Sequence, residues 1–272
     1  MKLDDVFIIT GKRYEDRIKS DIKGILGEEG LKRSVVIVST SDQPALVRIK
    51  GAEVSTAIAE YFRDQGNDVM LLFDSVTRFA MSQREIGLAI GEPPTTRSYT
   101  PSVFSLMPRL LERPGVSSKG TITGLYTVLV EGDDLDEPVA DAVRGYLDGH
   151  IVLSRRLADR NHYPAIDILA SLSRVAPRLM NPRTAEASSK IRRLISAYRE
   201  KEDLIDVGAY VKGTDPEVDE AIDKKDILND FLIQGIAEHE EPSLIYSRAA
   251  EIAGLEAEEE EGTGDEEVSV FA

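Results

Sequence analysis

The chain has 272 residues, of which 42% are hydrophobic, so it is long enough for one large core or for a core with a small satellite domain. Its formal net charge of −16 disfavours direct binding of nucleic acid through a broad basic face. The lack of cysteine excludes disulfides and thiolate metal sites, and no segment of the sequence approaches the roughly 20 consecutive apolar residues of a membrane span.

Strands alternate with helices in the first two-thirds of the chain, and this alternation predicts an α/β fold. Apolar and β-branched runs predict the strands, whereas apolar residues at helical spacing predict the helices. The predicted strands are residues 6–10, 35–40, 69–74, 121–130, 150–153 and 166–172. The predicted helices among them are residues 14–26, 52–65, a segment ending near residue 90, 103–112 and 137–147. Connections of this length imply parallel strands and right-handed crossovers.

The pattern becomes helical after residue 177. Helices are predicted over residues 185–199, 218–225, 227–236 and 242–253. We therefore expect a nucleotide-binding core in residues 1–178, a helical domain in residues 179–254 and an acidic disordered tail in residues 255–272. Residues 256–267 hold eight acidic side chains and no basic one, which is typical of a solvated end.

One strand carries the clearest chemical signal in the sequence. Residues 69–73 are apolar, and the run ends in the carboxylate of Asp74. Nucleotide-hydrolysing α/β cores hold Mg²⁺ with an aspartate placed in this way, although a strand-end aspartate that caps the next helix remains the alternative. No Gly-x-x-x-x-Gly-Lys-Ser/Thr loop occurs among the 272 residues. The metal half of a phosphate site is therefore predicted without the phosphate cradle.

Longer motifs give a resemblance to a known family. Residues 74–78 (DSVTR) are similar to runs in rotary ATP synthases, in type III export ATPases and in the hexameric transcription terminator Rho. The strongest resemblance is to the flagellar and type III secretion export ATPases. It is carried by residues 83–97 (QREIGLAIGEPPTTR), 101–104 (PSVF), 40–45 (TSDQPA), 124–134 (GLYTVLVEGDD) and 207–210 (VGAY). The resemblance runs from about residue 26 to residue 236 and favours the flagellar branch. It implies a partial RecA-like parallel-sheet core followed by a C-terminal all-helical domain.

The resemblance also implies ATP and Mg²⁺ as cofactors and a role for each of three residues. Asp74 resembles the Walker B acid, which binds Mg²⁺ through water. Tyr163, in HYPAID, falls where the superfamily places an aromatic ring against adenine; a core tyrosine beside a proline turn is the alternative. Arg174, in SLSR, falls at the arginine finger, which reaches the γ-phosphate held by the next subunit. A surface ion pair is the alternative for Arg174.

The chain also departs from the family pattern. Full-length relatives begin with a small β-barrel and the phosphate loop, and the positions of both would precede residue 1. We therefore expect this sequence to be either a truncated reading of a longer gene or a shortened paralogue. The glutamate that polarises the attacking water in relatives corresponds here to Lys12, in the run TGKRYED. Glu15 and Asp16 lie nearby, but a shift of a few residues on a turn misaims a carboxylate.

Three functional hypotheses follow from the resemblance. The first is a hexameric flagellar protein-export ATPase at the cytoplasmic face of the inner-membrane export apparatus, where hydrolysis releases and unfolds export substrates. Its implied partners are the export gate, a coiled-coil stalk protein, chaperones and their substrates, with no nucleic acid. The chain by itself is then predicted to be inactive. The second is a non-hydrolysing subunit that lends Arg174 to a neighbour. A rotary ATP synthase or Rho-like subunit is a third alternative.

Overall fold

The computed structural model of the protein describes residues 3–10, 24 and 26–256, with residues 3–10 as backbone alone. Several predictions lie outside the described residues: most of the helix at 14–26, the assignments of Lys12, Glu15 and Asp16, and residues 257–272 of the acidic tail. The chain divides into two compact units, residues 1–147 and residues 148–272. In the described part of the chain, no helix combines the length and the apolar character needed to cross a membrane.

The first unit is built on a largely parallel sheet. Its strands are β1 (Leu3–Thr10), β2 (Ser34–Ser39), β3 (Asp68–Asp74), β4 (Gly115–Val116) and β5 (Thr121–Tyr126). Residues 26–32 are helical, and the further helices are α1 (Ala45–Asp64), α2 (Val76–Ala89), α3 (Pro101–Leu111) and α4 (Pro138–Tyr146), with a short 3-10 helix at Thr96–Ser98. The strand order is β2-β1-β3-β5-β4, and every neighbouring pair is parallel except β4 with β5. The predicted α/β class is confirmed.

The core of this unit lies around β3, the central strand. Val69, Leu71 and Phe73 are buried, and the residues between them are half-buried, because helices cover a parallel sheet on both faces. The ring of Phe73 packs edge-on against Phe79 of α2, with 6.4 Å between the ring centroids. Each large side chain buried in this way stabilises the fold by roughly 1.5–3 kcal/mol. This packing fixes where the C-terminal end of β3 emerges.

The register of the strands places their carboxyl ends at one edge of the sheet. Thr10 of β1 lies opposite Ser39 of β2. Asp74 lies opposite Ile9 of β1, and the preceding Phe73 is paired on its other side with Tyr126. In open α/β sheets this edge is where ligands bind.

Two element boundaries differ from those predicted. Helix α1 begins at Ala45 rather than residue 52, because Pro44 is accommodated just before the first turn and the side chains of Ala45 and Ile49 are buried. Strand β5 ends at Tyr126 rather than residue 130. Residues 127–130 are β-rich in sequence, but they leave the ladder and bond to the start of α2 instead.

The second unit begins with two strands, β6 (Gly149–Leu153) and β7 (Ile166–Ser173), joined through the short helix α5 (Arg155–Asp159). They form a separate antiparallel two-stranded sheet whose register is irregular between His150 and Val152. The prediction of parallel pairing is therefore wrong for these strands. Residues 154–165 hold only one five-residue helix, and the chain turns back on itself instead of crossing over to start a parallel strand.

Helices make up the rest of this unit: α6 (Ala176–Leu179), α7 (Pro182–Asp206), α8 (Pro216–Asp223), α9 (Lys225–Leu232) and α10 (Pro242–Ala253). Asn181 caps α7 by accepting the amide of Thr184 at 2.7 Å, and α10 ends at Gly254, whose φ is 77°. The buried faces of α7, α8, α9 and α10 share a second apolar core formed by Ala187, Ile191, Leu194, Ala221, Leu228, Ala249, Ala250, Ile252 and Ala253. The predicted helical C-terminal region is confirmed.

Helix α7 is fastened to β7 by two arginines. The guanidinium of Arg192 donates hydrogen bonds to the carbonyl oxygens of Ile168 and Leu169. Arg199 forms an ion pair with Asp167, with Nη1–Oδ distances of 3.1 Å. Because β7 leads directly into Arg174, these contacts fix the strand from which that residue emerges.

Candidate functional site

Asp74 is the last residue of β3 and lies half-buried at the carboxyl edge of the sheet. The next residue, Ser75, joins Asp74 through a cis peptide bond and caps α2 by accepting the amide of Arg78 at 3.4 Å. Thr127 donates its hydroxyl hydrogen to Asp74 Oδ1 across a distance of 2.8 Å. The carboxylate is therefore not sealed in the core: it lies at a strand end and is hydrogen-bonded by the first residue after the neighbouring strand β5.

Residues 127–129, which follow β5, lie beside Asp74 and are hydrogen-bonded to the first turn of α2. The carbonyl oxygen of Thr127 accepts the amide of Val76 at 3.0 Å. The hydroxyl of Thr77 donates to the carbonyl oxygen of Leu129 at 3.2 Å and accepts the amide of Leu129 at 2.8 Å. Because these bonds join the first turn of α2 to residues 127–129, the surroundings of Asp74 are defined by backbone contacts.

The donor set at Asp74 fits Mg²⁺ held through water. Magnesium keeps most of its water ligands and usually takes one or two carboxylates together with substrate phosphates. A single carboxylate with an ordered hydroxyl beside it meets that need. Among the described residues there is no cluster of three or more His, Cys, Asp or Glu side chains, so a metal cage built from protein ligands alone is not present there.

Asp133 and Asp134, which might suggest a metal pair from sequence, lie in a surface loop. Asp133 is exposed, and Asp134 forms an ion pair with Arg97. The hydrogen bond from Arg97 and the amide of Asp136 keep the pKa of Asp134 below its ordinary value. Asp134 therefore ties its loop to residues 91–99 rather than presenting a metal ligand.

A second polar connection between the same two loops was missed from sequence. Tyr99 is buried with 4% of its surface exposed, beneath the guanidinium of Arg84, which lies 5.5 Å from the ring centroid. Burial raises the pKa of Tyr99 to about 12, and the negative charge of Glu137 and a hydrogen bond to its carboxylate act in the same direction. Glu137 is itself buried and caps α4 through the amides of Val139 and Ala140. In the sequence, the only signal for the capping role of Glu137 is that an acidic residue stands at the start of a predicted helix.

Tyr163 lies in the second unit, in the connection between β6 and β7. Its side chain is 51% exposed, so the alternative of a core tyrosine is not what the structure shows. The peptide bond to Pro164 is cis, and the carbonyl oxygen of Tyr163 accepts the amide of Gln234 at 2.9 Å. That bond joins the Tyr163 loop to the segment after α9, where the side chains of Ile233 and Ile236 are also exposed.

Arg174 lies in the same unit as Tyr163, directly after β7. Its amide donates to the carbonyl oxygen of Asp148 at 2.7 Å, and its side chain is exposed. The backbone of Arg174 is thus anchored just before the start of β6, and the residue lies on the surface of its unit. Asp74 belongs to the first unit, so the structure brings Tyr163 and Arg174 into one unit and Asp74 into the other.

Comparison with known proteins identifies the family. Residues 2–173 match the model of the ATP synthase alpha/beta family, nucleotide-binding domain, and residues 180–246 match that of the T3SS EscN ATPase C-terminal domain. The chain is 53% identical to the flagellum-specific ATP synthase of Bacillus subtilis (strain 168) over 94% of its own length and 58% of that protein. It is 61% identical to the flagellum-specific ATP synthase of Treponema pallidum (strain Nichols) over 84% of its own length and 50% of that protein.

A solved structure gives the same result. The assembled ATPase EscN in complex with its central stalk EscO, from the type III secretion system of enteropathogenic E. coli, superposes with a TM-score of 0.83 at 42% identity. The match covers 92% of this chain and 59% of that one. The chain therefore spans about half the length of the curated relatives it matches. It belongs to the ATP synthase alpha/beta nucleotide-binding family, in the branch formed by the flagellar and type III secretion export ATPases.

Proposed function

We propose that this chain carries the metal-binding acid, the adenine-side aromatic ring and the arginine finger of a flagellar protein-export ATPase. The observation that carries the proposal is Asp74, which ends a buried central parallel strand and accepts a hydrogen bond from the hydroxyl of Thr127, the first residue after the adjacent strand. Residues 1–178 form the nucleotide-binding part and residues 179–254 the helical domain. The family matches at residues 2–173 and 180–246 support this division.

The three site residues have complementary tasks. Asp74 holds the water shell of Mg²⁺, and Tyr163 offers an exposed aromatic face to the adenine ring of ATP. Bound Mg²⁺ would neutralise charge on the phosphate oxygens. Arg174 projects from the end of β7 and serves the site of an adjoining subunit, where a guanidinium offsets charge that develops on the γ-phosphate.

This role for Arg174 requires a ring of subunits. The related EscN is an assembled ATPase bound to a central stalk, and that relationship supports a homo-oligomer, a hexamer in our proposal, around a coiled-coil stalk protein. We place the ring in the cytoplasm, at the inner face of the membrane export apparatus. Its other partners are the export gate and the chaperones that deliver substrates for release, unfolding and export.

A second candidate is favoured by one sequence observation. The 272 residues contain no Gly-x-x-x-x-Gly-Lys-Ser/Thr loop, and the family resemblance implies that Lys12 takes the position of the glutamate that polarises water in relatives. In this candidate role the chain is a non-hydrolysing subunit that lends Arg174 to a complete neighbour. We expect no turnover by the purified chain, since each missing hydrogen bond to a charged phosphate forfeits about 1.5–3 kcal/mol.

Mixing experiments test both candidates. ATPase activity is measured for the chain alone, for the full-length Bacillus subtilis relative alone, and for mixtures at rising ratios. We expect no activity from the chain alone and a changed rate in the mixture. Arg174→Ala removes that change, whereas the control Arg178→Ala, an exposed arginine four residues further on, keeps it. Mg²⁺-dependent turnover by the chain alone that Asp74→Ala abolishes would rule out the non-hydrolysing role. Mixtures that never differ from the relative alone contradict the lending of Arg174.

A further inference from the structure

The side chain of Asp74 accepts a hydrogen bond from a residue that the family motif at 74–78 does not include. Thr127 is the first residue after β5, and its hydroxyl lies 2.8 Å from Asp74 Oδ1 and 3.3 Å from the carbonyl oxygen of Phe73. A hydroxyl group has one hydrogen to donate. The shorter contact, to a carboxylate, takes that hydrogen because bonds to charged acceptors are the stronger ones.

Thr127 is itself held in place without its hydroxyl. Its amide donates to the carbonyl oxygen of Phe73 at 2.9 Å, and its carbonyl oxygen accepts the amide of Val76 at 3.0 Å. Two residues later, Leu129 exchanges hydrogen bonds with the hydroxyl of Thr77. Backbone bonds on both sides therefore fix where the hydroxyl stands, and the exposed side chain of Thr127 is not needed to fill the core.

We propose that Thr127 is a positioning residue, whose hydroxyl sets the rotamer of Asp74 so that the carboxylate meets the water shell of a divalent cation. This inference rests on the metal-binding role proposed for Asp74. Residues that hydrogen-bond a metal-binding side chain fix its orientation, and their loss weakens metal binding. A single carboxylate is especially dependent on such a partner, because a rotation about χ1 moves its oxygens away from the cation.

Three variants separate positioning from folding. Thr127→Val keeps the β-branched shape and both backbone bonds but removes the hydroxyl. Thr127→Ser restores the hydroxyl on a smaller side chain. The matched control is Thr123→Val, the same substitution at an exposed position of β5. All are made in the full 272-residue chain, and amide NMR spectra check that each variant keeps the wild-type fold.

The measurements are the three-bond couplings that report χ1 of Asp74, and the broadening of amide signals around Asp74 by Mn²⁺ alone. We expect one dominant rotamer in the wild type, Thr127→Ser and Thr123→Val, and averaged couplings in Thr127→Val. Mn²⁺ affinity should fall about three- to tenfold in Thr127→Val, at or below the lower end of the 10–100-fold loss typical for partners of direct ligands.

Couplings in Thr127→Val that equal those of the wild type overturn the proposal. So does averaging in Thr123→Val to the same extent, since the hydroxyl at residue 127 is then not the cause. Asp74→Asn identifies the metal-dependent signals. If Mn²⁺ causes no broadening near Asp74 in the wild-type chain, the proposed metal role fails, and the couplings alone decide whether Thr127 positions Asp74.

Discussion

The ion pair between Glu60 and Arg113 is the strongest testable link between α1 and the turn that follows α3. Arg113 binds Glu60 with both ends of its guanidinium: the Nε–Oε1 distance is 2.9 Å and the Nη2–Oε2 distance is 2.6 Å. Both side chains are mostly covered, with 28% and 27% of their surfaces exposed. A two-point ion pair of this kind fixes the angle between the two segments as well as their distance.

The magnitude follows from the exposure of the pair. Fully exposed ion pairs contribute about 0.2–1 kcal/mol, whereas a buried hydrogen bond to a charged group contributes about 1.5–3 kcal/mol. Because roughly a quarter of each side chain is exposed, we expect a coupling free energy of about 1–2 kcal/mol at neutral pH. The perturbation is a double-mutant cycle with Glu60→Gln and Arg113→Met.

The pair also predicts a pH dependence. The hydrogen bond from Arg113 lowers the pKa of Glu60 below its ordinary value of 4.5. A carboxyl whose pKa is lower in the folded state adds stability above its unfolded pKa and loses that contribution as the pH falls through the folded value. The coupling free energy should therefore be full near pH 7 and decline once the pH drops below 4.5.

Urea unfolding followed by circular dichroism provides the measurement, with the four members of the cycle compared at pH 7 and in acid. Glu29→Gln is the control, because Glu29 pairs with Lys32 on the surface, where the two side chains are 86% and 68% exposed. It should change the free energy of unfolding by less than about 0.5 kcal/mol. A coupling below about 0.3 kcal/mol at pH 7, or one that grows in acid, would refute the reasoning.

Three further predictions concern single side chains, each measured by urea unfolding. Tyr99→Phe should lower the free energy of unfolding by about 1 kcal/mol at pH 7. As the pH rises from 10 to about 12, the wild type should lose the contribution of the Tyr99 phenol to its free energy of unfolding, which the Phe variant lacks. The reason is that the unfolded chain gives up the phenolic proton at a lower pH than the folded chain. Gly120→Ala should cost about 1–3 kcal/mol, since an added Cβ would lie 2.4 Å from the carbonyl oxygen of Asn67, whereas Gly145→Ala in α4 meets nothing within 4 Å and should be neutral or stabilising. Leu194→Ala should cost about 2–5 kcal/mol because Leu194 is fully buried, while Leu204→Ala, at 46% exposure, should stay within about 0.5 kcal/mol. Equal effects within either matched pair contradict the packing argument.

The elements that the sequence predicted well are those in which local pattern and tertiary burial agree. Strand β3 is an apolar run that ends at a charged residue, and the structure buries alternate members of that run. Helix α10 was predicted at residues 242–253 and has those bounds, because Pro242 opens it and Gly254 closes it. Such boundaries are decided by the backbone preferences of one or two residues.

The features that the sequence could not predict depend on contacts between distant segments. Residues 127–130 have strand-forming side chains, yet they leave the sheet because Val76 and the hydroxyl of Thr77 offer other hydrogen-bond partners. The pairing of Thr127 with Asp74 spans 53 positions and exists only in one strand register. The placement of Asp74, Tyr163 and Arg174 followed from family motifs, but their exposure became known only from the packing around them.

The described hydrogen bonds around Asp74 come from one part of the first unit. The hydrogen bonds that orient its surroundings join residues 73–77 to residues 127–129, all within the first unit. None of them uses a phosphate-binding loop, a motif that the 272 residues do not contain. β3, α2 and the segment after β5 therefore contribute hydrogen bonds that hold this carboxylate and its surroundings. We expect Asp74 to keep this orientation whether or not a phosphate-binding loop is present.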